Sequence, residues 1–161
     1  MRAFRTDTGH LLRLDPGEEI VGTVLGFCRA ARIEGGTANG IGTLRNTTLG
    51  YFDRERKEYA RQLFEDDLEL VSLVGNITVS EGAPLLHAHV VLSGPRFETY
   101  GGHLFSAEVA ATVELHLAPS GDSPRIVRVL DERTGLRLIA DPDPAPPHPP
   151  SEPGRRGPPG R

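Results

Sequence analysis

The sequence predicts an α+β domain: a curved, mostly antiparallel sheet, curled toward a partial barrel, with one main helix. Two observations lead there. Apolar residues recur at helical spacing in one stretch only, between residues 16 and 34. Every later apolar run reads as a short strand, and the runs are separated by Gly, Pro and Ser turn signals. One helix followed by many strands is the pattern of helix packed on antiparallel sheet. No internal repeat at solenoid spacing competes with it.

Each element has its own signal. Leu11 to Leu14 reads as a short strand. Asp15 then stands as a helix N-cap, with Pro16 at the first helical position and Glu18 completing a capping box. Ile20, Val24, Phe27, Cys28 and Ala31 form one apolar face, and Gly35 with Gly36 ends the helix. Gly22 and Gly26 leave a smooth strip for close approach. ANGIGTLRNTTLGYFD reads as strand with bends at Gly40 and Gly42. KEYARQLF, LELVSLVGNITVS, LLHAHVVLS, FETYGGHL, AEVAATVELHLA and RIVRVLDE follow, set apart by turns such as SEGAP, SGPR and PSGDSP.

Composition divides the 161 residues into a domain, 1–140, and a tail, 141–161. The tail, DPDPAPPHPPSEPGRRGPPGR, holds nine of the fourteen prolines and little that could pack, so it is expected to stay disordered. Its three acids balance its three arginines, so the formal charge of −4 belongs to the domain. An acidic domain argues against non-specific binding to nucleic acid or anionic membrane. The single cysteine, Cys28, excludes an intrachain disulfide and lies on the apolar helix face. No run has signal-peptide character or approaches the roughly 20 apolar residues of a membrane span, so a soluble cytoplasmic protein without membrane contact is expected.

The chemistry is concentrated in LLHAHVVLSGPRFETYGGHL, residues 85–104, which contains three of the six histidines. If 85–93 and 97–104 form a hairpin, His87 and His89 share a face, because strand side chains alternate. Opposed positions in such a hairpin sum to about 190–192 on short-loop geometry. His103 therefore falls opposite the His87–His89 segment, where Cβ atoms are roughly 4.5–5.5 Å apart. Three imidazoles converging there suit a borderline ion, zinc above all, with a fourth position left open. Glu98, Glu108 and Glu114 are candidates to orient a ring from behind. His10, His116 and His148 read as ordinary residues, His116 facing solvent and His148 lying in the tail.

Other motifs carry less. GGTANGIGTL lacks the Gly-Lys-Ser/Thr ending of a P-loop and the spacing of a dinucleotide fold. DRERKE at 53–58 reads as a charged surface turn, and Lys57, Glu58 and Tyr59 are placed to line a cleft, with a solvated hairpin the simpler reading. Arg96 at the hairpin tip is placed to meet an anion.

These pieces together resemble the PPC domain, named for plants and prokaryotes, over roughly residues 5 to 135. The resemblance rests on LDPGEEI, NGIGTLRNTTLGYFD, KEY before LELVSLVGNIT, LLHAHVVLS, and YGGHL with a later VE-containing strand, in that order. It implies an α+β homotrimer with a curved antiparallel sheet, the helix and some sheet edges lying near the subunit interface. The fold is also similar to that of acetolactate decarboxylase, whose zinc is held by an HxH pair and a later histidine. His87, His89 and His103 match that pattern, but no motif places the decarboxylase's other catalytic groups, so decarboxylation is not implied. The family is commonly described as DNA-binding, its plant members carrying an Arg-Gly-Arg-Pro hook for the minor groove. PGRRGPPGR at 153–161 has the residue types without that order.

Three functions follow as expectations. The first is a PPC-type homotrimer with a zinc-type site at His87, His89 and His103, binding a small anionic ligand or acting in regulation. The second is a DNA-binding or transcription-associated protein. The third is a metal-dependent enzyme acting on a small carbonyl or anionic substrate.

Overall fold

The computed structural model describes residues 1–121 and 125–140. The proline-rich segment 141–161 lies outside the described residues. The strands are β1 (Arg2–Thr6), β2 (Gly9–Leu14), β3 (Gly36–Asp53), β4 (Glu58–Phe64), β5 (Leu68–Ser80), β6 (Ala83–Ser93), β7 (Thr99–Pro119), β8 (Val127–Asp131) and β9 (Leu136–Ile139). The one helix among the described residues, α1 (Ile20–Ala30), joins β2 to β3. The α+β class stands, with the nine strands of the described residues in one sheet.

The helix is shorter than the 16–34 that its apolar spacing predicts, and both of its ends use other residues. Asp15 to Glu18 is a turn, with the Glu18 amide donating to the Asp15 carbonyl at 3.3 Å. Pro16 and Gly17, the latter at φ +85°, occupy the two central positions in the manner of a type II turn. Glu18 Oε2 still accepts from the Asp15 amide at 2.7 Å, so half of the expected box forms, but on a turn. The N-cap is Glu19, whose carboxylate accepts from the amides of Val21 and Gly22. At the other end Arg32, not a glycine, takes the left-handed conformation at φ 56°. The Ile33 amide donates to the Cys28 carbonyl and the Arg32 amide to that of Arg29, the bond pair of a Schellman motif. Ala31 is therefore the C-cap and exposed, while Ile20, Val24 and Cys28 form the buried face.

The pairings run β3–β5–β6–β7 and back to β3, so the sheet curls into a partial ring. The two segments FETYGGHL and AEVAATVELHLA are one strand. β7 stays continuous for 21 residues and bends through bulges where it meets β3. The bend expected at Gly40 and Gly42 is a register shift against β5. Leu44, Leu70, Leu73, Leu92, Val109 and Leu115 fill the inner face, and α1 packs on β6 and β7. Each such side chain contributes about 1.5–3 kcal/mol by leaving water.

The outer face carries the chemistry. Opposed residues of an antiparallel pair project to the same side. The register gives one row across the sheet: Leu11, His116, Asn39, Val74, His89, His103, Gly50 and Arg61. The same alternation that buries Leu86, Ala88 and Val90 turns His87 and His89 outward. β8 lies parallel to the end of β5, the one parallel pairing among the described residues. No helix among the described residues is long and apolar enough to cross a membrane.

Candidate metal centre

His89 pairs directly with His103, so the opposed positions sum to 192 as the hairpin predicts. Gly94 and Phe97 close the loop, with the Phe97 amide bonded to the Gly94 carbonyl and the Gly94 amide to the Glu98 carbonyl, both at 2.9 Å. The ring centroids of His87, His89 and His103 are 5.2–5.4 Å apart in all three pairs. One nitrogen from each ring lies within 4.8 Å of the others. The nitrogens of a tetrahedral zinc set are about 3.4 Å apart, so ring movement of about an ångström closes the set.

The donor set has the chemistry of a metal site. His103 Nδ1 is buried and has no hydrogen-bond partner in the protein. A buried nitrogen left unpaired costs about 1–3 kcal/mol. Burial pushes the His103 pKa down to about 4, helped by the positive charge of His87, His89, Arg61 and Arg128. His87 is also pushed below the ordinary imidazole value, by burial first and then by Arg128 and His89. Both rings are thus neutral near pH 7, the form that binds a cation.

His87 is shared. A guanidinium only donates, so Arg128 Nη2, at 3.1 Å, donates a hydrogen bond to His87 Nδ1 and uses the one lone pair of the neutral ring, which Arg128 must release before His87 takes a metal. Arg128 reaches the triad from β8 and crosses the outer face over Thr78 and Asn76. On the other side Tyr59 of β4 lies against His103, centroids 5.2 Å apart, and Phe105 against both. The Arg61 guanidinium sits 3.8 Å above the Phe105 ring.

The three predicted ligands are therefore together, while the expected carboxylate behind them is absent among the described residues. Glu98 is held in its own turn by the Arg96 amide, and its other neighbour is the Arg96 side chain. Glu108 lies beside Arg45 and Asn46. Glu114 faces Arg13 and Ile41 in the ladder, far along β7 from His103. Every side-chain charge that acts on His103 or His87 is positive. Arg96 at the hairpin tip is spent on Glu98. His116 bonds to Thr8 Oγ1, and His10 packs edge-on against Phe27.

Two further residues line the site, one that the sequence sets second to a surface reading and one that it does not signal. Tyr59 belongs to the site and not to a solvated hairpin, because β4 folds back on β3 opposite His103. Arg128 sits among Val127, Val129 and Leu130, where alternation favours burial of the valines. The strand is turned the other way, with Arg128 buried and both valines exposed.

An outer-face triad of imidazoles on a curled antiparallel sheet defines a small α+β domain built to present one histidine cluster. Residues 1–120 match the Plants and Prokaryotes Conserved (PCC) domain, and the chain belongs to that family. A plant- and prokaryote-conserved protein of Pyrococcus horikoshii is 35% identical with a TM-score of 0.75, over 89% of this chain and 94% of that one. A metal-containing protein of Archaeoglobus fulgidus is 39% identical with a TM-score of 0.76, over 88% of this chain and 100% of that one. A candidate DNA-binding protein of Bacteroides thetaiotaomicron is 26% identical with a TM-score of 0.82, over 86% and 96%. The bifunctional protein GlmU of a Synechococcus strain is 31% identical over 150 residues, 88% of this chain. The match spans 22% of that longer protein.

Proposed function

We propose that this PCC-domain chain is a metal-binding protein, with a divalent ion of the zinc class held by His87, His89 and His103. The observation that carries the reading is the convergence of three imidazoles, with one nitrogen from each ring within 4.8 Å of the others. The Archaeoglobus neighbour, a metal-containing protein, supports it. With three protein donors a fourth position stays open for a ligand, and the ion supplies Lewis acidity there. The chain's own residues orient the rings, keep His87 and His103 neutral and wall the site with Tyr59 and Phe105.

The reading is of a ligand-binding or regulatory homotrimer. Support for self-association comes from the exposed apolar side chains Leu11, Ile41 and Val74 on the outer face, a surface of the kind that marks interfaces. Enzymatic use of the metal is the weaker version, because no carboxylate among the described residues faces the triad to act as a base. Metal content by plasma mass spectrometry on untagged protein, beside a His87→Ala/His89→Ala variant, decides the reading. About one ion per chain, lost in the variant, is the expected result. No metal in either protein after incubation with zinc returns the histidines to ordinary sheet residues.

DNA contact is the second reading, favoured by the Bacteroides neighbour. The formal charge of −4 opposes it. It requires a salt-sensitive mobility shift that weakens when Arg155 and Arg156 are removed.

A further inference from the structure

Beside the three imidazoles lies a cation that belongs to the protein. Arg128 is 8% exposed. Its Nε donates to Thr78 Oγ1 at 2.9 Å and its Nη1 to the Arg137 carbonyl at 3.0 Å. Its Nη2 donates to Asn76 Oδ1 and to His87 Nδ1, both at 3.1 Å. These bonds use four of the five guanidinium N–H groups, and every acceptor is neutral. Arg13, Arg45, Arg56, Arg96, Arg125 and Arg137 each have a carboxylate within ion-pair distance. Arg128 has none among the described residues. Burying a charge without a counter-charge is costly, and neutral hydrogen bonds fix the fork without cancelling its charge. The cost is explained if an anion completes the site.

We propose that Arg128 and the ion held by the three histidines form a two-cation seat for the carboxylate of a small organic acid. The proposal rests on the metal reading above and adds to it the class of ligand. A monoanion is favoured over phosphate because Arg128 then offers only two N–H groups, the unspent one and the one His87 releases to take the ion, and Arg61 is stacked on Phe105. That is too few donors for a dianion with three terminal oxygens. The Tyr59 and Phe105 rings beside His103 offer an apolar wall for the remainder of the acid. Neutral His87 has one lone pair and Arg128 now uses it, so the ion takes His87 only as Arg128 lets that ring go, and an anion that accepts the freed N–H offsets the loss. Anion and ion must then favour each other reciprocally.

The test measures zinc affinity by competition with a chromophoric chelator, with and without acetate, using chloride and inorganic phosphate as controls at matched ionic strength. In the wild-type chain acetate raises zinc affinity by about fivefold or more, and chloride and phosphate do not. Arg128→Gln removes the acetate effect while zinc binding persists. Arg128→Lys, which keeps the charge without the fork, weakens the effect, and it serves as the variant if Arg128→Gln does not fold. Zinc bound with no acetate effect, or with the same effect in both variants, overturns the carboxylate seat and leaves the metal reading standing. If wild type binds no zinc, the metal reading falls, and acetate titration of the Arg128 Nε–H resonance in the wild-type chain decides what is left. A saturable shift keeps the anion site on Arg128, and no shift overturns it.

Discussion

His89 and His103 stand directly opposite each other in adjacent antiparallel strands, ring centroids 5.4 Å apart. The site follows from that pairing. His87 is two positions along the same strand and so shares the face, while the alternate residues Leu86, Ala88 and Val90 enter the core. A slip of one residue between β6 and β7 would need Leu86 and Val90 in solvent and two histidines in the core. Core burial therefore locks the geometry of the imidazoles.

Zinc is expected to raise the thermal stability of the chain. An ion that binds only the folded state, at a hundred times its dissociation constant, adds about 2.7 kcal/mol. For a domain of this size that is a rise in Tm of about 5–10 °C. Scanning calorimetry with zinc, and again with excess chelator, should show the rise and its reversal. His103→Ala should melt at one temperature under both conditions. A zinc-dependent rise that survives in His103→Ala would place the ion elsewhere.

Acid is expected to weaken the fold with a share that belongs to His103. Its pKa in the fold is pushed down to about 4, against an ordinary 6.5. Above pH 6.5 neither the folded nor the unfolded ring carries the extra proton. Between 6.5 and about 4 the unfolded chain takes up a proton that the folded ring refuses, so stability falls as pH falls. Below about 4 both states are protonated and the loss levels off. His87, shifted the same way, adds to it. The loss is on the order of 2 kcal/mol once solvent access is allowed for. Asp15, Glu34 and Asp131, all held below their ordinary values, contribute only at lower pH. Urea unfolding at pH 7.5, 6 and 5 with chelator present reads the difference, and His103→Gln should flatten it.

Much of this site was legible because it depends on local rules. Hairpin register and strand alternation act over twenty residues, and they were enough to bring His87, His89 and His103 together. Arg128 was not legible, since no local pattern shows that a strand some 40 residues later crosses the outer face and buries its arginine instead of its valines. A cleft role for Tyr59 ranks second to a solvated hairpin in the sequence for the same kind of reason: β4 reaches His103 only through its pairing with β3. The helix was placed correctly in its middle, where Ile20, Val24 and Cys28 face the sheet. Its ends were misplaced because Asp15-Pro16-Gly17-Glu18 satisfies a turn as well as a cap, and tertiary bonds decide between them. The Gly17 amide donates to the Val109 carbonyl and the Val109 amide to the Glu18 carbonyl, which ties that turn to β7.

Gly50 is expected to be intolerant of substitution. It faces His103 in the ladder, and a Cβ there would meet Tyr59 Cδ1 at 2.9 Å and overlap the Phe105 ring. Gly50→Val therefore forces both rings off His103. Overpacking of this kind costs about 1–3 kcal/mol. It should also weaken zinc binding, since Tyr59 and Phe105 fix the plane of the His103 ring. Urea unfolding and the chelator competition measure the two effects separately. Unchanged zinc affinity in a destabilised variant would show that the aromatic wall only packs and does not hold the ligand.

Arg32→Gly is expected to stabilise the chain. Arg32 holds φ 56° to close the Schellman motif, a conformation that costs a side-chain-bearing residue about 1–2 kcal/mol. Glycine removes that strain but loses about 0.4–1 kcal/mol through the greater freedom of the unfolded chain. The net gain is about 0.5–1 kcal/mol, visible as a higher urea midpoint at unchanged slope. Zinc affinity should not move, because the helix C-terminus packs on the inner side of the sheet and the histidines face outward. If Arg32→Gly lowers the midpoint instead, the Arg32 side chain has a stabilising contact that outweighs the strain of its backbone.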